Sequence, residues 1–175
     1  YKTIWMAAAS QDPQQVLRAL GGRDVRRANW QTGLQAAGED ANCVFVSPCL
    51  DGFVLVIGLP RFPEQGLAGA FGQVQAFATH RVTEYHAWAR WNGGTLERMY
   101  AYDGSRGVVT VQVGEMTAQE IALGFGRFPQ KGREDRCEAN PTEEDVLDLA
   151  AAWGVDPRMD GAAYPPSVGW ICTVR

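Results

Sequence analysis

His80 and His86 are the two histidines of this 175-residue chain, and histidine is the side chain that changes charge near neutral pH. Arg81-Val82-Thr83 lies between them, and a corner there would bring both to one strand junction. If residues 84–91 form a strand, His86 shares a face with Glu84, Trp88 and Arg90. An imidazole with the carboxylates Glu84 and Glu97 and the Arg90 guanidinium could do acid–base work. A small hydrolase or transferase using His80 or His86 with a nearby carboxylate is therefore one reading. A nucleophile is harder to find. Ser10, Ser47, Ser105 and Ser167 stand outside any Gly-x-Ser-x-Gly elbow. Cys49 makes a thiol pair with His86 only if the fold joins them. Gly124-Phe125-Gly126 lacks the third glycine of a dinucleotide loop. Glu143, Glu144 and Asp145 suit the first turn of a helix better than a metal site. The reading leans away from an enzyme, and no cofactor or metal is expected.

The element that would position the second histidine is a hairpin. Two aromatic-rich arms, Glu84–Trp91 and Thr95–Tyr102, flank Asn92-Gly93-Gly94, a turn signal. With Gly93-Gly94 as the loop, Asn92 faces Thr95, Arg90 faces Glu97, Trp88 faces Met99 and Tyr85 faces Tyr102. Strand alternation sends Tyr85, Trp88, Trp91, Tyr100 and Tyr102 to both faces. If one face is open, aromatics beside Arg90 and Glu97 make interface anchors. If helices cover both faces, the same residues are core. Tyr85, Trp88, Arg90, Trp91, Glu97, Tyr100 and Tyr102 are the candidate partner-binding residues.

The remaining elements follow from caps and periodicity. Lys2–Ala9 reads as a strand. Asp12-Pro13 opens a helix that Gly21-Gly22 stop, and Asn29 caps a second with Trp30, Leu34 and Ala37 on one face. The basic run Arg23–Arg27 reads as solvated. Cys43–Ser47, Phe53–Gly58, Val74–Arg81, Val108–Val113 and Val168–Val174 read as strands, and Gly66–Gln73 as a short helix. Thr117-Ala-Gln-Glu120 is a capping box. Thr142 caps a helix whose stripe is Val146, Leu149, Ala150 and Trp153, and Asp160–Pro166 is a loop. Residues 127–140 are polar and aperiodic, which predicts a mobile surface loop. About seven strands joined mostly by turns, with four or five helices, predict one α+β domain over 1–175. Its mainly antiparallel sheet is built around the central hairpin, with helices packed on it.

Composition narrows the function class. A net charge of -4 argues against a broad nucleic-acid footprint. No apolar run approaches the roughly 20 residues of a membrane span. Cys43, Cys49, Cys137 and Cys172 form no CxxC pair and read as free thiols. The chain opens on Tyr1 rather than Met, so residues are expected before it. The cytoplasm is the expected compartment, with the periplasm as the alternative.

The segments Phe77-Ala-Thr-His80-Arg81, Tyr85-His86-Ala-Trp88-Ala-Arg90, Arg98-Met-Tyr-Ala-Tyr102 and Glu144-Asp-Val146…Ala151-Ala-Trp153-Gly-Val-Asp156-Pro157 carry a resemblance over about Trp30 to Pro157. They resemble small bacterial proteins of unassigned function, some of which act as immunity proteins beside secreted toxins. The resemblance implies a non-enzymatic protein-binding module that blocks a toxin domain. An acidic chain could steer a basic partner into contact.

Overall fold

The computed structural model describes residues 2–159 and 167–174; the expected Asp160–Pro166 loop lies outside them. The fold is α+β. In chain order its elements are β1 (Lys2–Ala9), α1 (Pro13–Ala19), β2 (Arg23–Ala28), α2 (Trp30–Glu39), β3 (Cys43–Leu50), β4 (Phe53–Ile57) and α3 (Gln65–Ala68). There follow β5 (Gln73–His80), β6 (Tyr85–Asn92), β7 (Thr95–Asp103), β8 (Val108–Val113), α4 (Ala118–Ala122), α5 (Glu143–Trp153) and β9 (Gly169–Thr173). The nine strands form one sheet in the order β2-β9-β3-β4-β1-β5-β6-β7-β8. Its pairings are antiparallel. The 84–103 hairpin is therefore not central. It lies toward one edge, and β1 holds the middle.

Both faces of the sheet are covered. Val16 and Leu17 of α1 and Ala68 of α3 pack with Met6, Val56, Val74 and Trp91 on one face. Val146, Leu149 and Trp153 of α5 pack with Trp5, Phe77, Trp88 and Tyr100 on the other. Helix α2 lies over Phe45 on that second face, where Gly33 gives the ring its space. A Cβ on Gly33 would stand 2.1 Å from Phe45 Cδ2.

Local signals set the helix ends. The Thr142 hydroxyl accepts from Asp145 N, and the Asp145 carboxylate accepts from Thr142 N. Two of the orphan donors of α5 are thereby satisfied. Thr117 and Glu120 do the same for α4. Leu149 is fully buried, so Leu149→Ala is expected to cost about 2–5 kcal/mol. A clearly smaller loss in urea unfolding would show that α5 does not seal this face.

The hairpin loop is Gly93-Gly94, both at positive φ (53° and 80°), as a type I′ turn requires. Asn92 opposes Thr95 as expected, but the register then slips by one. Glu97 is bulged out, so Arg90 opposes Arg98, Trp88 opposes Tyr100 and Tyr85 opposes Asp103. A bulge re-aims every following side chain. Here it turns Arg98, Tyr100 and Tyr102 onto the face of Trp88.

One other expectation needs correction. Arg23–Ala28 is a strand at the sheet edge, not only a solvated run. Residues 127–140 carry apolar anchors despite their polar composition. Phe128 is buried, and the Tyr100 hydroxyl donates to Pro129 O at 2.9 Å. Lys131 N donates to Gln112 Oε1 at 2.8 Å, tying the segment to β8.

The four cysteines are free thiols. Burial, and then Cys43, pushes the Cys172 thiol up to about 11. Iodoacetamide at neutral pH is expected to label the half-buried Cys49 and Cys137 first and Cys172 last. Early labelling of Cys172 would contradict this packing.

Candidate functional site

The structure sorts the candidate partner-binding residues sharply. Trp88, Trp91, Tyr100 and Tyr102 are buried, with Trp88 and Tyr100 only 1% exposed. They are core residues, because helices cover both faces. Tyr85 is half-buried, and only Arg90 and Glu97 offer charged groups to solvent. Arg90 Nε lies 3.4 Å from Glu97 Oε2, an ion pair without hydrogen-bond alignment.

The two histidines sit at one corner but on opposite faces. β5 ends at His80 and β6 begins at Tyr85, and the register sets Thr79 directly opposite His86. His86 is 1% exposed. Its Nδ1 lies 3.2 Å from Thr79 Oγ1, and its Nε2 lies 3.4 Å from Glu84 Oε2. Glu84 has a positive φ of 48°, and Gly104 leaves space beside its Cβ. The first turn of α5 brings Glu143 Oε2 to 3.4 Å from Thr79 Oγ1.

The corner is thus a chain of groups, Glu84–His86–Thr79–Glu143. Glu97, named from sequence as a possible partner of His86, pairs with Arg90 instead. With both carboxylates ionised, three links need three protons. The threonine hydroxyl supplies one, so all three form together only when both imidazole nitrogens carry hydrogen. Thr79 and Glu143 escaped the sequence argument. Thr79 was legible only through the β5–β6 register, and Glu143 only through the docking of α5.

On the other face, His80, Thr83, Tyr85, Asp103 and Ser105 line a cavity of about 330 Å³. The His80 ring is held through Nδ1 by the Thr83 hydroxyl, and Ser105 donates to Asp103 at 2.6 Å. Burial, and then the Asp103 carboxylate, pushes the Tyr85 phenol up. Among the described residues, no three His, Cys, Asp or Glu side chains converge as a metal site requires.

A second buried polar cluster joins α4 to the hairpin. Glu120 is 0% exposed and Arg98 2%. The Glu120 carboxylate accepts from Arg98 Nε, from Trp88 Nε1 at 2.8 Å and from Thr117 N at 2.8 Å, and Arg98 Nη2 lies 2.9 Å from it as an ion pair. Its donors are spent inside the fold, which makes it a structural clamp.

The exposed charge lies elsewhere, at the opposite edge of the sheet. β2 has five consecutive exposed residues, Arg23 to Arg27. Among the described residues, none of Arg23, Arg26 and Arg27 has a carboxylate within ion-pair distance. No described strand pairs with the outer side of β2. No helix among the described residues is long and apolar enough to cross a membrane. The chain matches no protein-family model, no curated protein and no solved structure.

Proposed function

We propose that this chain works by binding another protein, in the form its sequence resemblance implies: an immunity-type inhibitor that occupies a toxin domain. The observation that carries the reading is β2, an edge strand exposed from Arg23 to Arg27, whose three arginines have no carboxylate partner among the described residues. An open strand edge can take an extended segment through main-chain hydrogen bonds, with flanking side chains selecting the partner. The corner histidine His86 is by contrast buried and engaged with Thr79 and Glu84. The test is a binding or growth-protection assay with the protein encoded beside this one. Wild type and His80→Ala are expected to bind alike. Failure of the wild-type chain to bind or protect would count against the reading.

One observation favours the alternative, a small hydrolase or transferase. His86 lies between Glu84 and Thr79, an acid–imidazole–hydroxyl order that can move a proton. Turnover of a substrate by the purified chain, abolished in a folded His86→Gln variant, would establish that reading instead.

A further inference from the structure

We infer that β2 takes an acidic, extended segment of a partner protein as an added strand at the sheet edge; this rests on the binding reading above. The register of β2 against β9 shows how the arginines are presented. Arg23 opposes Thr173 and Arg26 opposes Ile171, with an irregularity between them. Thr173 and Ile171 are two apart and share a face, so Arg23 and Arg26 share it too. In a regular strand, residues three apart would point to opposite faces. The bulge, with Asp24 at a φ of 53°, brings both arginines to the α2 face. Arg27, opposite Trp170, points to the other face. A strand laid beside β2 would therefore meet guanidinium groups above and below the sheet.

Charge selects the occupant. The chain has 20 acidic and 16 basic residues. Arg18, Arg61, Arg90, Arg98, Arg127 and Arg158 each hold a carboxylate. Arg23, Arg26 and Arg27 hold none among the described residues, nor do Arg81, Arg106, Arg133 and Arg136, but only the first three lie on a strand, at the open β2 edge. Acidic side chains on an incoming strand supply the missing partners as cross-strand neighbours. A second copy supplies only one acid per strand, Asp24, against three arginines, so like charges stay together, a recognised way of keeping edges apart. The bland role, an edge charged only to prevent aggregation, predicts no peptide affinity.

The test uses the purified full chain and four fluorescein-labelled probes. One is an eight-residue peptide of alternating Glu and Thr. The second is the same peptide with two Thr replaced by Pro, which keeps the charge and removes ladder donors. The third alternates Lys and Thr, and the fourth is a twelve-nucleotide oligothymidine. Fluorescence anisotropy is expected to show saturable binding of the Glu peptide, at least tenfold weaker binding of the Pro version and none of the Lys peptide. Arg26→Glu/Arg27→Glu, both exposed positions, should lower the affinity at least tenfold while circular dichroism stays unchanged. Equal binding of the Glu and Pro peptides, preference for oligothymidine, no binding, or indifference to the double substitution overturns the inference. So does concentration-dependent dimerisation through β2 that excludes the peptide. If the neighbouring-gene protein still binds the double variant at full strength, β2 is wrong and the binding reading stands. If wild type binds neither peptide nor that protein, both fall.

Discussion

Glu120→Ala should unfold at a much lower urea concentration than wild type, with a loss of about 3–5 kcal/mol, the cost of breaking a buried ion pair from one side. The Glu120 carboxylate accepts from three donors, Arg98 Nε, Trp88 Nε1 and Thr117 N, and pairs with the buried Arg98 guanidinium. Without it, the Arg98 guanidinium stays buried with only Val113 O and Gly114 O, each at 3.2 Å, and the long contact to Met99 O at 3.5 Å. Trp88 Nε1 and Thr117 N lose their acceptor as well. Glu120→Gln keeps the shape and one acceptor oxygen but turns an amide N–H toward a donor, so its loss should fall between. Arg98→Met/Glu120→Leu removes both charges and should be less harmful than the sum of its single changes. A loss under about 1 kcal/mol for Glu120→Ala, the range of exposed pairs, would show that the pair is hydrated.

Trp88→Ala is expected to cost about 3–5 kcal/mol, the range for truncating a buried aromatic. The ring is stacked on Tyr100 at 4.4 Å and touches Phe125 at 5.3 Å. Trp88→Phe separates packing from polarity. It keeps a ring against Tyr100 but removes the donor to Glu120, and should cost about 1–3 kcal/mol. Urea unfolding measures both. A surface anchor would behave otherwise, losing partner affinity at unchanged stability. If Trp88→Ala did that, its placement in the core would be wrong.

The parts of this fold legible in the sequence are those with local causes. The Gly93-Gly94 turn, the Thr117 and Thr142 caps and the α5 stripe each depend on residues within a few positions of one another. β2 had no such signal: exposed through Arg27, it shows no alternation between core and solvent. The Glu97 bulge was hidden because an unbulged register also offered a favourable Arg90–Glu97 pair. Alternation in the hairpin correctly divides its aromatics between two faces, but it cannot say whether helices cover both. That depends on α1 and α3 on the Trp91 face and on α5 on the Trp88 face, all outside the hairpin in sequence. The His86 chain was half legible. Glu84 is two residues away, whereas Glu143 arrives only when α5 packs on the sheet.

The arginines of β2, without a carboxylate partner among the described residues, carry the proposed function. The chain as a whole is acidic, with a net charge of -4, yet its open edge is basic. Long-range attraction and the local docking surface therefore favour opposite signs on a partner. A partner with a basic body and one acidic extended segment would satisfy both.

The most direct measurement is the affinity of the purified chain for the protein encoded beside it, compared among wild type, His80→Ala and Arg26→Glu/Arg27→Glu. The account predicts tight binding by the first two and at least a tenfold loss for the third, with all three equally folded. Substrate turnover by the chain alone, lost in a folded His86→Gln variant and untouched by the β2 substitutions, would contradict it.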